Sequence, residues 1–310
     1  MCTEKTVTTI AQQTRTFVPV HPTDLRATLA VLSRGRHDRT MRILRGEVLR
    51  ATRTPHGPGT QLLRVRGISI EVQVWGPGAE WLCDRAPILI GGNDDHSSFA
   101  EVNATVTQWH KQFIGLRTPC SQAVWEMLLP IVLEQKVTGK EARSSFGDLL
   151  HRLGEPAPGP FTELRLTLPL DPNVVADTPS HVFHACGVER KRSDTIRRAA
   201  AYAHRLEEAA EMPLAQGHAR LRALAGIGDW TVSEIAQTAL GDSDAVSVGD
   251  YHLKNSASWA LAGEPRGTDE RMLELLEPFR PFRGRVLRLI AAAGITAPKY
   301  GPRLTIQPRW

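Results

Sequence analysis

The sequence has few cysteines and no long apolar segment, and each shortage excludes a class of protein. Its four cysteines stand far apart among 310 residues, at Cys2, Cys83, Cys120 and Cys186. A structural zinc site or a cysteine-ligated iron–sulfur cluster needs several thiolates at short spacings, so we expect neither. Free thiols in a reducing compartment are the simpler interpretation. No apolar run approaches the roughly 18 residues of a membrane helix, so we expect no contact with a membrane.

The start of the chain and its composition are ordinary. Residues 1–5 contain no basic region followed by an apolar stretch, which predicts no secretory signal and a cytoplasmic location. The hydrophobic fraction of 41% and the charged fraction of 23% are typical of a globular protein. A chain of this length can form one large domain or two to three small ones, and we expect a monomer.

Positive charge is in slight excess, and its distribution is more informative than its total. Lys and Arg number 38 against 33 Asp and Glu, with a pI of 9.2. The basic residues cluster at Arg34, Arg36, Arg39, Arg42 and Arg45, then at Arg190, Lys191, Arg192, Arg197 and Arg198, and finally at Arg280, Arg283, Arg285 and Arg288. Such clusters can neutralise phosphates, but they can equally be solvated helix faces, so charge alone leaves nucleic-acid binding open.

Residues 16–95 have the pattern of a small sheet. Runs rich in β-forming residues occupy 48–53, 61–65 and 68–74, and residues 55–59 separate the first two as a loop. A helix start at 21–24 leads into an apolar stretch at 25–32. We therefore predict a flexible N-terminus over residues 1–15, followed by an antiparallel β domain with flanking helices.

Beyond a polar break at 91–96 the pattern becomes helical, so we predict a mainly α-helical body over residues 96–310 and an α+β fold overall. The expected helices are 122–134, 174–185, 192–210, 219–225, 231–240, 253–262, 269–276 and 284–293, with a proline-rich loop at 156–160.

The segment Gly226-Ile227-Gly228 is the most informative in the chain. A helix ends at Ala225, two glycines flank one aliphatic residue, and a second helix follows at once. The glycines permit unusual backbone angles and close approach of another backbone, and Ile227 can fill the core between the helices. The start of the second helix offers free N–H groups to an anion such as a phosphate. A helical hairpin of this kind, over about residues 219–240, binds the DNA backbone without reading sequence, although an isolated G-x-G is more often a simple turn between helices.

Asp250 begins a new helix in the segment 246–254, where a simple N-cap is the ordinary role of an aspartate. The hairpin and this aspartate together resemble the helix-hairpin-helix DNA glycosylases of the endonuclease III superfamily, in which a loop with an essential aspartate at a helix start follows the hairpin. The sequence Asp250-Tyr251-His252-Leu253 is similar to the family's Asp-x-His-aliphatic form, although Val248 replaces a frequent proline. The resemblance implies that Asp250 is catalytic, and it can be the cap as well.

Within this superfamily the chain most resembles the 3-methyladenine DNA glycosylase II branch, over roughly residues 16–295. The similar segments are 116–119, 125–138, 185–192 and 279–283, in the same order. Branches that also cleave the strand carry a lysine two residues after the second glycine, and this chain has Trp230 there. The resemblance therefore implies a monofunctional enzyme that hydrolyses the N-glycosidic bond of damaged bases, alkylated purines above all.

The resemblance also assigns further residues. It implies a base pocket with Trp230, Tyr251, Glu234 and Trp125, and DNA contacts at Gly226, Ile227, Gly228, Thr231, Gln135, Lys136, His252 and Arg283. Lys136 stands where the branch has an aliphatic wedge, and Glu234 replaces an aromatic residue of the pocket. The histidine can equally be structural, and Tyr251 can simply pack. No side-chain metal site and no cofactor are expected; a monovalent cation on hairpin carbonyls near Leu224 and Gly226 is implied by the resemblance only.

The chemistry follows from the extruded base. Flipping a base out of a duplex costs a few kcal/mol, and damage that weakens pairing lowers that cost. Positive charge then grows on the sugar, where a fixed carboxylate stabilises it or orients water. We expect double-stranded DNA with damaged bases as the partner. The alternatives are a glycosylase for deaminated or oxidised bases, which Glu234 leaves open, a catalytically silent hairpin DNA-binding protein, and a helical adaptor without nucleic acid.

Overall fold

A five-stranded antiparallel sheet lies near the start of the chain in the computed structural model, which describes residues 12–298. The strands are β1 (Gln12–Phe17), β2 (Met41–Leu44), β3 (Glu47–Thr54), β4 (Gly57–Arg66) and β5 (Ser69–Trp75), in the spatial order β1-β5-β4-β3-β2. Val48 pairs with Leu63 and Leu63 with Val72, so one face carries aliphatic side chains into the main core. The predicted β-rich runs are confirmed as strands.

Both faces of this sheet are covered. Leu49, Leu62 and Trp75 on the second face pack against Leu166 and Leu168, which come from the chain between two helices of the body. The three strand residues are buried for that reason, and β3 and β4 carry apolar residues on successive positions instead of alternating ones. Since the body itself covers the sheet, the two predicted regions share a core; the boundary near residue 95 stays a prediction.

Two predictions for residues 1–95 are wrong. Residues 12–15, expected in a flexible terminus, lie in β1 and pair with β5 from Gln12↔Trp75 to Arg15↔Val72, while residues 1–11 lie outside the described residues. The loop predicted at 55–59 is a turn of two residues, because positions 57–59 already belong to β4. Gly59 serves close packing there: a Cβ would lie 2.6 Å from a methyl group of Leu82.

The helices are α1 (Leu25–Leu29), α2 (Ala79–Leu89), α3 (Ala104–Gln112), α4 (Val124–Leu133), α5 (Gly139–Leu153), α6 (Pro172–Asp177), α7 (Ser180–Ala185), α8 (Arg190–Ala201), α9 (Ala203–Glu207), α10 (Leu214–Arg222), α11 (Asp229–Ile235), α12 (Leu253–Ala262), α13 (Asp269–Leu276) and α14 (Arg283–Ala292). The α+β prediction is confirmed, and α12 and α13 have the predicted bounds. Within residues 12–298, no helix has the length and apolar character that crossing a membrane requires.

Three helices, α2, α3 and α5, were not predicted from the sequence. Two of the expected helices, 174–185 and 192–210, are each divided into shorter ones. α2 contains Pro87, a residue that normally argues against a helix interior. The side chains of Asn103 and Thr138 cap the starts of α3 and α5. In α5, Thr138 and Glu141 form a capping box, a local signal from which this helix could have been predicted. The stretch expected at 174–185 is broken between α6 and α7 at Thr178 and Pro179, because a residue before proline is pushed out of the helical region.

Helix α4 is the centre of the body. All ten of its residues are buried, and it lies against α5, α8, α9 and α11. Its first N–H groups have no partner within the helix, and the carboxylate of Glu207 accepts those of Val124 and Trp125 at 2.8 Å each. Burial raises the pKa of Glu207 to about 7, although these two hydrogen bonds oppose the shift. Helix α4 also packs against α11, which carries the candidate site.

Candidate active site

The hairpin joins α10 to α11 through a turn whose two glycines serve different purposes. Gly226 has φ +98°, and a Cβ at this position would lie 2.4 Å from the hydroxyl of Thr195. Gly228 is extended and exposed, and a Cβ there would meet nothing within 4 Å. Ile227 between them is 4% exposed and packs in the main core, as predicted. Gly226 is therefore required by the fold, whereas Gly228 leaves open surface at the start of α11.

Asp250 lies at the start of α12 and faces the hairpin. Its Oδ1 accepts the backbone N–H groups of His252 and Leu253 at 2.8 Å each, so the carboxylate caps the helix. Its Oδ2 accepts the indole N–H of Trp230, on α11, at 3.3 Å. The side chain is half-buried, and among residues 12–298 it has no ion pair. The structure therefore joins the hairpin to the predicted catalytic residue by a direct hydrogen bond.

A second carboxyl group belongs to the same cluster. Glu234 follows Trp230 by one turn of α11, so both side chains lie on one face of the helix. Its Oε1 accepts the hydroxyl of Ser247, and this hydroxyl in turn accepts the side-chain amide of Gln237 at 3.2 Å. Glu234 was expected as a pocket residue, whereas Ser247 was not predicted, because its only signal is its position three residues before Asp250.

The surroundings of Glu234 favour its neutral form. Burial raises the pKa of Glu234, and the negative charges of Glu134 and Asp250 raise it further. The hydrogen bond from Ser247 and the positive charge of Arg34 act in the opposite direction but do not compensate. Arg34 itself is nine-tenths buried and lies 3.7 Å from Glu134, its partner in an ion pair. The cluster thus holds two carboxyl groups in different environments.

Two of the predicted DNA-binding residues, Gln135 and Lys136, lie in the turn beside the hairpin. The side-chain amide of Gln135 donates to the carbonyl of Gly226 at 3.1 Å and to the hydroxyl of Thr231 at 2.9 Å. The next residue, Lys136, is exposed and has φ +57°, in the left-handed region that side chains other than glycine rarely adopt. Gln135 therefore fixes the turn between α4 and α5 against the hairpin, and Lys136 stands at the tip of that turn.

The hairpin carbonyls already accept protein donors. The guanidinium of Arg198 donates to the carbonyl of Ala225 at 2.8 Å, and the Leu224 carbonyl accepts the N–H of Ile227 at 3.0 Å. Together with the Gln135 contact, these bonds would compete with the predicted monovalent cation, which stays a prediction. Within the described chain, no group of three or more His, Cys, Asp or Glu residues could hold a metal ion.

Tyr251 and His252 lie on the open surface next to Asp250. Tyr251 is 72% exposed, and its ring meets the imidazole edge-on, with ring centroids 4.8 Å apart. Such a position suits contact with a bound molecule better than the packing role that was left open for Tyr251. The predicted roles of these two residues in the base pocket and in DNA binding stay predictions.

The positions of Trp125 and Arg283 argue against their predicted roles. Trp125 is 4% exposed inside the main core, and its indole N–H donates to the carbonyl of Leu170 at 2.8 Å, a structural role that accounts for its position. The guanidinium of Arg283 forms a two-pronged ion pair with Asp244, at 2.9 and 2.7 Å, and its side chain is 14% exposed. This pair ties the start of α14 to the loop before Asp250 and is unsuited to binding a phosphate.

Comparison with known proteins supports the resemblance at the level of the fold. No family model matches the chain. It is 29% identical over 143 residues to the "Probable bifunctional transcriptional activator/DNA repair enzyme AlkA" of two strains of Mycobacterium tuberculosis, a match that covers 46% of this chain and 28% of those relatives. The match thus spans little more than a quarter of the relatives' own length.

Two solved structures are similar over almost the whole chain. The 3-methyladenine DNA glycosylase of Archaeoglobus fulgidus has a TM-score of 0.75 at 16% identity, covering 89% of this chain and 97% of that one. An 8-oxoguanine glycosylase/lyase of Clostridium acetobutylicum, in complex with double-stranded DNA, has a TM-score of 0.68 at 12% identity, covering 91% and 95%. The chain therefore has the fold of these glycosylases, as the hairpin and aspartate predict.

Proposed function

We propose that this chain, which has the fold of the helix-hairpin-helix DNA glycosylases, removes damaged bases from double-stranded DNA by hydrolysing the N-glycosidic bond, with alkylated purines as the main substrates. The observation that carries the proposal is the hydrogen bond between Trp230 and Asp250, because it couples a hairpin suited to the DNA backbone to a fixed carboxylate. The curated relatives from Mycobacterium tuberculosis, described as DNA repair enzymes, support the same chemistry.

Asp250 acts on the sugar in this proposal. As the bond to the extruded base breaks, positive charge develops at C1′ of the sugar. Asp250 stabilises that charge or orients the attacking water, and its capping hydrogen bonds to His252 and Leu253 hold the carboxylate in place before the reaction. The absence of any ion pair within the described residues leaves its negative charge available for the transition state.

The reaction ends at the abasic site in this proposal, without strand cleavage. The position where strand-cleaving relatives carry a lysine holds Trp230, which donates its indole N–H to Asp250. The amine of Lys254, one helical turn after Asp250, is paired with Asp269 at 3.1 Å. An ammonium group in an ion pair is a poor nucleophile, because the attacking amine must be neutral.

The test compares the chain with its Asp250→Asn variant. We expect the wild type to release methylated purines from a methylated duplex, and the variant to lose on the order of 10²–10³-fold in rate. DNA binding is expected to change little, since the asparagine can still accept the two backbone N–H groups. Mass spectrometry identifies the released bases, and a binding assay on the same duplex provides the control.

Two further results bear on the proposal. Unchanged release by the asparagine variant would contradict the role of Asp250, and binding without release by the wild type would favour a silent DNA-binding protein. Reduction with borohydride during the reaction is expected to trap no covalent complex. A trapped complex would show an amine nucleophile and therefore lyase activity.

A further inference from the structure

The hydrogen bonds around Glu234 fix which of its two oxygens can carry a proton. Gln237 donates to the Ser247 hydroxyl, and that hydroxyl therefore donates its single proton onward to Oε1 of Glu234. Because Oε1 accepts the last hydrogen bond of this series, a proton on the carboxyl group resides on Oε2. Among residues 12–298, Oε2 has no hydrogen-bond partner, and the side chain is partly exposed. Its free oxygen is available to a bound molecule.

The two carboxyl groups of the cluster receive opposite kinds of support. Asp250 accepts N–H groups from His252, Leu253 and Trp230, and these three donors favour the charged carboxylate. Glu234 accepts a single hydroxyl, and the negative charges of Glu134 and Asp250 disfavour its charged form. Within residues 12–298, the cation that acts on Glu234 is Arg34, and Arg34 pairs with Glu134 at 3.7 Å. Carboxyl pairs whose environments differ in this way divide into a charged group and an acid.

We propose that Glu234 is a catalytic acid that protonates the departing base, so that the site can release neutral damaged bases as well as cationic ones. This inference rests on the function proposed above. A cationic methylated purine leaves without help, because it already carries its positive charge. A neutral lesion such as hypoxanthine needs a proton on a ring nitrogen to become an equally good leaving group.

The step balances in atoms and electrons. The proton on Oε2 passes to a ring nitrogen of the base, while the C1′–N bond breaks and its electron pair goes to the base. C1′ becomes an oxocarbenium ion facing Asp250. Water adds through its oxygen, the proton that it loses passes to solvent by way of Asp250, and Glu234 recovers its proton from solvent. The products are a neutral base and an abasic sugar, with no net change in redox state.

The experiment compares two duplexes under single-turnover conditions, one with hypoxanthine and one with 7-methylguanine, for the wild type and Glu234→Gln. The glutamine retains the size of the side chain and an acceptor for Ser247, but it cannot give up a proton. We expect the ratio of hypoxanthine release to 7-methylguanine release to fall on the order of 100-fold, within the range of general acid catalysis. Glu80→Gln is the control, since it removes an exposed carboxylate on α2, outside the cluster, and should leave that ratio within about threefold.

The pH profile separates acid catalysis from a structural role. Release of hypoxanthine by the wild type requires protonated Glu234, so it should persist up to a pH above the ordinary range of a glutamate and decline as the pH rises through its raised pKa. Release of 7-methylguanine should lack this decline. An unchanged ratio in Glu234→Gln, or release of 7-methylguanine without hypoxanthine by the wild type, would overturn the inference and leave the proposed function intact. Release of neither base would overturn both.

Discussion

The carboxylates of Asp94 and Asp250 both accept backbone N–H groups, but only the charge of Asp94 is balanced by basic neighbours. Asp94 is 6% exposed; it accepts the N–H of Thr118 and lies 2.6 Å from a ring nitrogen of His96. Arg117 donates to the other ring nitrogen at 2.9 Å. Asp250 is half-buried and pairs with no cation within residues 12–298. A buried charge without a partner is expensive, so unmatched carboxylates persist where function requires them.

The two carboxylates also differ in what their charges do. Burial by itself would raise the pKa of Asp94, but the hydrogen bond and charge of His96 and the N–H of Thr118 outweigh it and lower the pKa. The lowered pKa stabilises the fold at every pH above the ordinary range of an aspartate, and this contribution is lost as the pH falls through the folded value. Asp94 is therefore a structural charge, and the positive charge of Arg285 on α14 adds to the lowering of its pKa.

The largest expected effect on stability comes from Asp94→Ala. The variant leaves Arg117 and Arg285 buried without their counter-charge, which should lower the free energy of unfolding by about 3–5 kcal/mol. Asp250→Ala removes a helix cap and the long hydrogen bond from Trp230, but it strands no buried cation, so it should lower the free energy of unfolding by about 0.5–2 kcal/mol. Urea unfolding at pH 7 measures both values. Equal losses in the two variants would remove the distinction between a structural and a functional carboxylate.

The part of this site that could be predicted from the sequence is the part formed by local signals. Two glycines around Ile227, an aspartate just before a helix start and the bounds of α12 and α13 are each defined within a few residues, and the structure contains all of them. The fold followed from these signals together with their order along the chain. A short stretch of sequence determines such local conformations, so a resemblance based on them can be recognised without knowledge of distant contacts.

What could not be predicted depends on contacts between distant residues. The Ser247–Glu234 hydrogen bond spans 13 residues, and the Arg283–Asp244 pair spans 39. A basic residue near a helix start has the same sequence pattern whether it meets a phosphate or a carboxylate, so Arg283 was assigned to DNA. Trp125 was placed in the pocket by the resemblance, although α4 is apolar at nine of its ten positions, a pattern that indicates burial on every side.

A smaller effect is expected at Lys136, which is exposed like a functional residue but has a strained backbone. Its left-handed conformation costs roughly 1–2 kcal/mol for a residue with a side chain, so Lys136→Gly should raise the free energy of unfolding by about 1 kcal/mol. If the lysine contacts DNA or fills the gap left by the base, release should nevertheless fall about tenfold, equivalent to roughly 1.4 kcal/mol. Urea unfolding and single-turnover assays measure the two changes separately.

Lys140→Gln is the control for Lys136. It removes a positive charge from the first turn of α5, four residues away, without changing the strained turn. We expect a smaller loss of release and no gain in stability. A gain in stability without any loss of release in Lys136→Gly would show that the turn is strained for a reason unrelated to DNA.

The smallest effect is expected at the exposed start of α11, where Asp229 places a negative charge beside the open surface of Gly228. Arg222 lies 2.7 Å from this carboxylate and neutralises it in part. Asp229→Asn removes the repulsion of a phosphate while leaving Arg222 free to bind one, so affinity for a duplex should rise about two- to threefold at low salt, roughly 0.5 kcal/mol. Arg222→Gln should lower the affinity by a similar factor.

Both changes in affinity should vanish near 1 M salt, where the screening length is about 3 Å. Binding isotherms at two salt concentrations test this, and unchanged affinity in both variants would place the DNA backbone away from the start of α11.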